Sequence, residues 1–233
     1  MNKKTYYILI SLIIVLIIGM IFLVNNSLTK KTKIIYKEVK NKDTNKIKKE
    51  ENILFLGDSI TEIYPIPEIY GDLPIVKSGV SGYETTNILD NIEDMVYKYN
   101  PTSVYLLIGT NDIRKNDSKE KQDETIKNIK EITTKIKKNR SKTKIYIESI
   151  YPINRNMKLD MVQSRHNEDI QYMNRELEKY AKENDMIYLN MYDKLTDGDG
   201  NFSEKYTDDG LHPNDLGYAK ISQILVKEIY NIK

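Results

Sequence analysis

Ser59 stands in Gly57-Asp58-Ser59, directly after the apolar run Ile53-Leu54-Phe55-Leu56. A serine hydroxyl is too weakly acidic to attack a carbonyl unaided; it needs a base, and the base needs a group to orient it. Asp208-Asp209-Gly210-Leu211-His212-Pro213, near the other end of the chain, offers both. Asp209 and His212 are three residues apart, a spacing that can bring a carboxylate to one imidazole nitrogen and leave the other facing a cleft. Plainer readings stand beside these. Gly-Asp-Ser is commonly a turn and helix cap, and Asp209 can equally cap the helix that follows.

Two glycine-bearing segments, Ser78-Gly79-Val80-Ser81-Gly82 and Gly109-Thr110-Asn111-Asp112, each follow a further apolar run. Glycine lets a backbone N–H approach an oxyanion closely, and an asparagine amide adds a second donor. Ordinary strand-to-helix turns use the same residues. The coincidence carries the weight: a nucleophile, two sets of oxyanion donors and a base with its orienter all fall at strand exits or on the last loop.

The elements that must position them follow from the apolar pattern. Ile53–Leu56, Ile75-Val76, Val104–Ile108, Ile145–Ile147 and Met186–Leu189 read as buried strands. Between them Ile88, Ile92, Met95 and Tyr99 recur at helical spacing, as do Ile126, Ile129, Thr133 and Ile136. Ile170, Met173, Leu177 and Tyr180, and then Ile221, Leu225 and Ile229, repeat the pattern. Strands alternating with helices imply a parallel sheet with helices on both faces. Open sheets of that kind place ligands at the carboxyl ends of their strands, where these candidates lie.

At this point the sequence resembles the SGNH or GDSL esterases and lipases. Gly57-Asp58-Ser59-Ile60-Thr61, Gly79 with Gly82, Gly109-Thr110-Asn111-Asp112 and Asp209-Gly210-Leu211-His212-Pro213 match in family order over about residues 51–231. The resemblance implies Ser59 as nucleophile, His212 as base and Asp209 as its orienter. The oxyanion hole would comprise the Ser59 and Gly82 N–H groups and the Asn111 side chain. It further implies a three-layer α/β/α sandwich with a five-stranded parallel sheet, flavodoxin-like in type, and a serine esterase or acylhydrolase that needs no cofactor and no metal. Lys77 departs from the family, which often has asparagine two residues before the first glycine; the change alters support for the turn and not the donor itself. Thr61 stands where the hydrolase elbow G-x-S-x-G would have its second glycine, which favours the GDSL-type site.

Composition narrows the chemistry. Among 233 residues there are 36 Lys+Arg, 34 Asp+Glu, two His and no Cys. The lack of cysteine excludes thiol nucleophiles and cysteine-ligated metal sites. A net charge of +2 argues against a nucleic-acid partner. That sum is divided: residues 1–50 carry eleven lysines against Glu38, Asp43 and Glu50, a net +8, leaving −6 for residues 51–233. Ile8–Val24 is 17 residues without a charge, about 26 Å of helix and close to a bilayer core. Residues 1–24 therefore read as a membrane anchor, with a transmembrane helix over about 7–24. A cleaved signal peptide is the competing reading, though its apolar stretch is typically only about 7–15 residues. Residues 25–50 read as a lysine-rich linker and 51–233 as the hydrolase domain, expected outside the cytoplasm. Lysines flank both ends of the apolar run, so the positive-inside rule does not settle orientation.

An anchored esterase suggests an ester of the cell envelope, with an acetylated glycan as the leading substrate class. A lysophospholipase or thioesterase, an O-acyltransferase using the same acyl-enzyme, and a non-catalytic envelope-binding module are the alternatives. Asp197-Gly198-Asp199-Gly200-Asn201 begins like a calcium loop but has Phe202 where glycine is needed, and reads as a turn. His166 reads as an exposed helix-start histidine without a partner. Tyr64, Tyr70 and Tyr83 could line a pocket, with ordinary packing the plainer assignment.

Overall fold

The computed structural model describes residues 52–66, 70 and 73–229. The anchor and linker expected over residues 1–50 lie outside them. Among the described residues no helix is long and apolar enough to cross a membrane.

Five strands form one parallel sheet: β1 (Ile53–Gly57), β2 (Ile75–Gly79), β3 (Ser103–Leu107), β4 (Lys144–Glu148) and β5 (Ile187–Leu189). Their spatial order is β2-β1-β3-β4-β5. In register, Ile53 faces Ile75 on one side and Ser103 on the other, while Gly57 faces Gly79 and Leu107. The chain leaves β1 for one neighbour and returns across it to the other. The carboxyl ends of β1 and β3 thus flank the switch point where such sheets open a crevice.

Alternation along each strand divides the core in two. Leu54, Leu56, Val104, Leu106, Ile145 and Ile147 point to one face. There they meet α2 (Thr85–Asp90), α3 (Ile92–Met95), α4 (Lys119–Asn139) and α6 (Asn167–Glu183). Ile53, Phe55, Tyr105, Leu107 and Tyr146 point to the other, against α1 (Ser59–Glu62), α7 (Tyr192–Leu195) and α8 (Asp215–Ile229). The short helix α5 (Leu159–Val162) precedes α6. The architecture is the α/β sandwich with a five-stranded parallel sheet that the strand count and the resemblance imply.

One expected helix is divided. Ile88, Ile92, Met95 and Tyr99 share a helical spacing, but the chain breaks into α2, α3 and a 3₁₀ turn over Tyr97–Tyr99. At the first break Asn91 leaves helical geometry (φ −115°, ψ 23°), while its backbone N–H and its side-chain amide both donate to the Asn87 carbonyl, at 3.2 and 2.8 Å. Asn100, in the left-handed conformation (φ 52°), ends the segment. α4 forms unbroken over 21 residues. Ser118 caps it by accepting from Lys121 N, Glu120 lies in its first turn, and Lys137 and Lys138 lie in its last, as the helix dipole favours.

Gly79 is required by close approach. A Cβ there would lie 2.5 Å from Glu62 N and 2.8 Å from Asp58 O, the backbone that carries Ser59. Gly79→Ala is expected to cost about 1–3 kcal/mol of stability by overpacking, read as a lower midpoint in urea unfolding. An unchanged midpoint would contradict this packing.

Candidate active site

Asp58 ends the first strand's turn, and its Oδ1 accepts from Ile60 N at 3.0 Å, starting α1 with Ser59 at its first position. Leu211 and His212 lie on the loop before α8, which Asp209 organises. Its Oδ1 accepts from Leu211 N at 2.8 Å and His212 N at 2.7 Å, and its Oδ2 lies 2.7 Å from His212 Nδ1. Asp209 thus bonds the imidazole and its own loop, and among the described residues its side chain makes no bond to the start of α8. The side chain bonded to the α8 start is Asn214, whose Oδ1 accepts from Leu216 N and Gly217 N. The other imidazole nitrogen, Nε2, lies 3.1 Å from Ser59 Oγ. Residues 153 positions apart thus meet in a continuous serine–imidazole–carboxylate chain.

The electrostatics fit that chain. Burial opposes ionisation of Asp209, but the hydrogen bonds from His212 and from the His212 and Leu211 amides outweigh it and hold the carboxyl well below its usual range. Asp58 behaves oppositely. It is fully buried, and burial raises it to about 7 against the Ile60 N–H and the nearby charges of His212 and Arg165. Its Oδ2 has no hydrogen-bond partner among the described residues.

The oxyanion candidates Gly82 and Asn111 lie just after β2 and β3, the two strands that flank β1. Gly82 has φ +79°, a conformation natural to glycine, and its N–H makes no hydrogen bond among the described residues. The preceding Ser81 is tied to α1: both its N–H, at 2.8 Å, and its hydroxyl donate to Glu62 Oε2. Those bonds from Ser81 lower the Glu62 carboxyl's pKa. Beyond Gly82, Thr85 donates its N–H and hydroxyl to the buried Asp112. Burial raises Asp112 to about 6 despite those bonds. The glycine turn is therefore anchored on both sides, to α1 and to the segment after β3. Asn111 donates one Nδ2 hydrogen to the Tyr83 carbonyl at 3.0 Å, leaving the second hydrogen available.

Glu62, Asp112 as an anchor, and Arg165 were not singled out by sequence reasoning. Arg165 is 2% exposed and donates to Asn111 Oδ1 at 3.0 Å. No motif or periodicity marks it. Lys77, where the family often has asparagine, donates to the Tyr64 carbonyl at 3.1 Å and so braces the segment after α1. Tyr64 and Tyr70 are core residues whose hydroxyls bond each other, with Tyr64 also bonded to Ser222. The residues Asp197–Asn201 form a turn in which Asp197 Oδ1 accepts from Asp199 N and Asn201 N. His166 does start a helix, but it is not without a partner: Nδ1 lies 2.8 Å from Asp117 Oδ2. Asp117 lies 49 residues away in sequence and reaches it from the loop before α4.

A doubly covered parallel sheet carrying serine, histidine and aspartate in hydrogen-bonded sequence at its switch point defines an α/β protein with hydrolase-type site geometry. The chain matches the model of the GDSL-like lipase/acylhydrolase family over residues 55–220 and belongs to that family. A solved structure from Streptococcus pneumonia, provisionally named for platelet activating factor, is 34% identical with a TM-score of 0.72, covering 91% of this chain and 99% of that one. A GDSL-like lipase from Bacteroides thetaiotaomicron is 25% identical with a TM-score of 0.70, over 88% of this chain and 100% of its own. Among curated proteins, N-acylneuraminate cytidylyltransferase of Escherichia coli O18:K1:H7 is 27% identical over 194 residues, 82% of this chain. The match spans only 42% of that relative's length.

Proposed function

We propose that the chain is a serine esterase that cleaves esters through an acyl-enzyme on Ser59. The observation that carries the reading is the unbroken chain from Ser59 Oγ to His212 Nε2 (3.1 Å) and from His212 Nδ1 to Asp209 Oδ2 (2.7 Å). Ser59 attacks the ester carbonyl as His212 takes the hydroxyl proton, and Asp209 steadies the resulting imidazolium. The tetrahedral oxyanion is held by the Ser59 and Gly82 N–H groups and the free Asn111 amide hydrogen. His212 returns its proton to the departing alcohol. It then draws a proton from water as that water attacks the acyl-enzyme, and hands it back to Ser59 as the acid leaves.

The substrate we assign is an O-acetylated glycan of the cell envelope. Support comes from the 17-residue uncharged run and the lysine-rich segment after it, which suit an anchored enzyme working outside the cytoplasm. The curated relative, of which the chain spans 42%, is named for a reaction on N-acylneuraminate, a sugar, and so lends support to a sugar-bearing substrate.

Two measurements test this. Ser59→Ala in the full chain is expected to abolish turnover of p-nitrophenyl acetate, and a fluorophosphonate probe should label the wild type at Ser59 alone. Retained turnover in the alanine variant would overturn the serine mechanism. For the substrate, acetate release from an O-acetylated polysaccharide should exceed acid release from lysophospholipid or acyl-thioester. The reverse ranking would overturn the glycan assignment, and acetate transfer to an added sugar in preference to water would mark an acyltransferase.

A further inference from the structure

Arg165 lies on the loop between α5 and α6, and all three of its guanidinium nitrogens are engaged. Nε donates to the Thr110 carbonyl at 2.7 Å and to Thr110 Oγ1 at 3.1 Å. One terminal nitrogen donates to the carbonyls of Met161 and Val162, each at 3.1 Å. The other donates to Asn111 Oδ1 at 3.0 Å. A planar fork of donors can span a peptide carbonyl and an adjacent side-chain amide in this way; a lysine ammonium cannot reproduce the fork.

The two ends of the Asn111 amide are similar in size, so packing alone does not decide which faces where. Hydrogen bonding does. Arginine has only donors, so Arg165 can bond only Oδ1; the Tyr83 carbonyl has only acceptors, so it can bond only Nδ2. Both neighbours select the same orientation. Rotating the amide by half a turn would set NH₂ against a guanidinium and oxygen against a carbonyl. A charge-assisted bond to the amide oxygen also polarises the amide and makes its N–H a stronger donor, more so away from water.

We propose that Arg165 is a positioning residue for the oxyanion hole, fixing the Asn111 amide with Nδ2 as the donor and placing a buried positive charge behind it. The proposal rests on the serine-esterase reading. Arg165 does not touch the reacting atoms; it acts through Asn111. Burial lowers the guanidinium to about 10, against the opposing pull of Asp58, so it stays charged at neutral pH.

The test is a double-mutant cycle in the full chain with p-nitrophenyl acetate, using Arg165→Met, Asn111→Ala and both together. Loss of one oxyanion donor typically costs about 10²–10³ in kcat. Arg165→Met is expected to lower kcat about 10–100-fold, with KM within about threefold. In the Asn111→Ala background the same change should lower kcat less than about threefold, because the group it positions is gone. Active enzyme is counted by fluorophosphonate titration of Ser59, so misfolded protein does not register as lost kcat. Should Arg165→Met fail to fold, Arg165→Lys keeps the charge but loses the fork and is expected to give the same non-additive pattern. Equal losses in both backgrounds, or a loss confined to KM or to thermal stability, would overturn the positioning role. Turnover that survives Ser59→Ala would overturn the esterase reading beneath it and this proposal together, and is thereby distinguished from failure of the positioning role alone.

Discussion

His212→Ala is expected to lower kcat for p-nitrophenyl acetate by about 10⁴–10⁶-fold while leaving the fold intact. The imidazole is the group at Ser59 Oγ able to take its proton, at 3.1 Å from Nε2. The chain has one other histidine and no cysteine. His166 cannot substitute, because it starts α6 and is bonded to Asp117 at 2.8 Å. The His212 side chain is about one-fifth exposed and belongs to neither face of the sheet's core, so its loss should shift the thermal midpoint little. In the proposed mechanism Ser59 and His212 act as one unit, so adding Ser59→Ala to His212→Ala should cost little more than either alone. Steady-state kinetics on the three variants checks this. Residual activity within tenfold of wild type in His212→Ala would require a different base.

Asp209→Asn carries the second large effect, expected to be about 10³–10⁴ in kcat with the loop preserved. In the native site one carboxylate oxygen holds the backbone and the other holds the ring: Oδ1 takes the Leu211 and His212 amides, and Oδ2 faces His212 Nδ1. Asparagine can keep its oxygen on the two amides, so the loop survives. Its NH₂ then faces Nδ1 and must donate to it, which drives the ring proton onto Nε2. A protonated Nε2 cannot accept the serine proton. Asp209→Ala should differ by also losing stability, since both amides lose their acceptor at a cost of about 1–3 kcal/mol. A pH dependence of stability separates the two roles further. The folded-state pKa of Asp209 lies below its unfolded value, so its contribution is present above about pH 3.9 and is lost as pH falls through the lower folded value. The stability advantage of wild type over Asp209→Asn should therefore shrink on acidification below pH 4, followed by urea unfolding at several pH values. An advantage that grew towards acid would contradict the assigned hydrogen bonds.

Much of this was legible before any coordinates. Buried strands announce themselves by continuous apolar runs, and the switch-point rule then directs attention to the residues just after them, which is how Ser59, Gly82 and Asn111 stand out. Asp209 and His212 were legible because their pairing is local, three residues apart on one loop. Arg165 was not. It bonds Asn111 from 54 residues away, on a loop without periodicity, and an arginine in such a place ordinarily reads as solvated surface. Glu62 was hidden for the opposite reason: it sits one turn after Ser59, where an acidic residue in the first helical turn has a sufficient local explanation in the helix dipole. The broken segment from Thr85 to Tyr99 shows a limit of periodicity itself. Apolar spacing reports which side of a segment meets the core, and it is kept even where the backbone leaves helical geometry, as at Asn91 (φ −115°, ψ 23°).

The all-parallel sheet has a mechanical consequence. Each strand's amino end lies on one rim and each carboxyl end on the other, about 17 Å apart for five residues of β1. Residue 52 enters the domain on the first rim, and Ser59 leaves on the second. The point where the described chain enters the sheet and the Ser59 hydroxyl therefore lie at opposite poles of the domain, with the length of β1 between them.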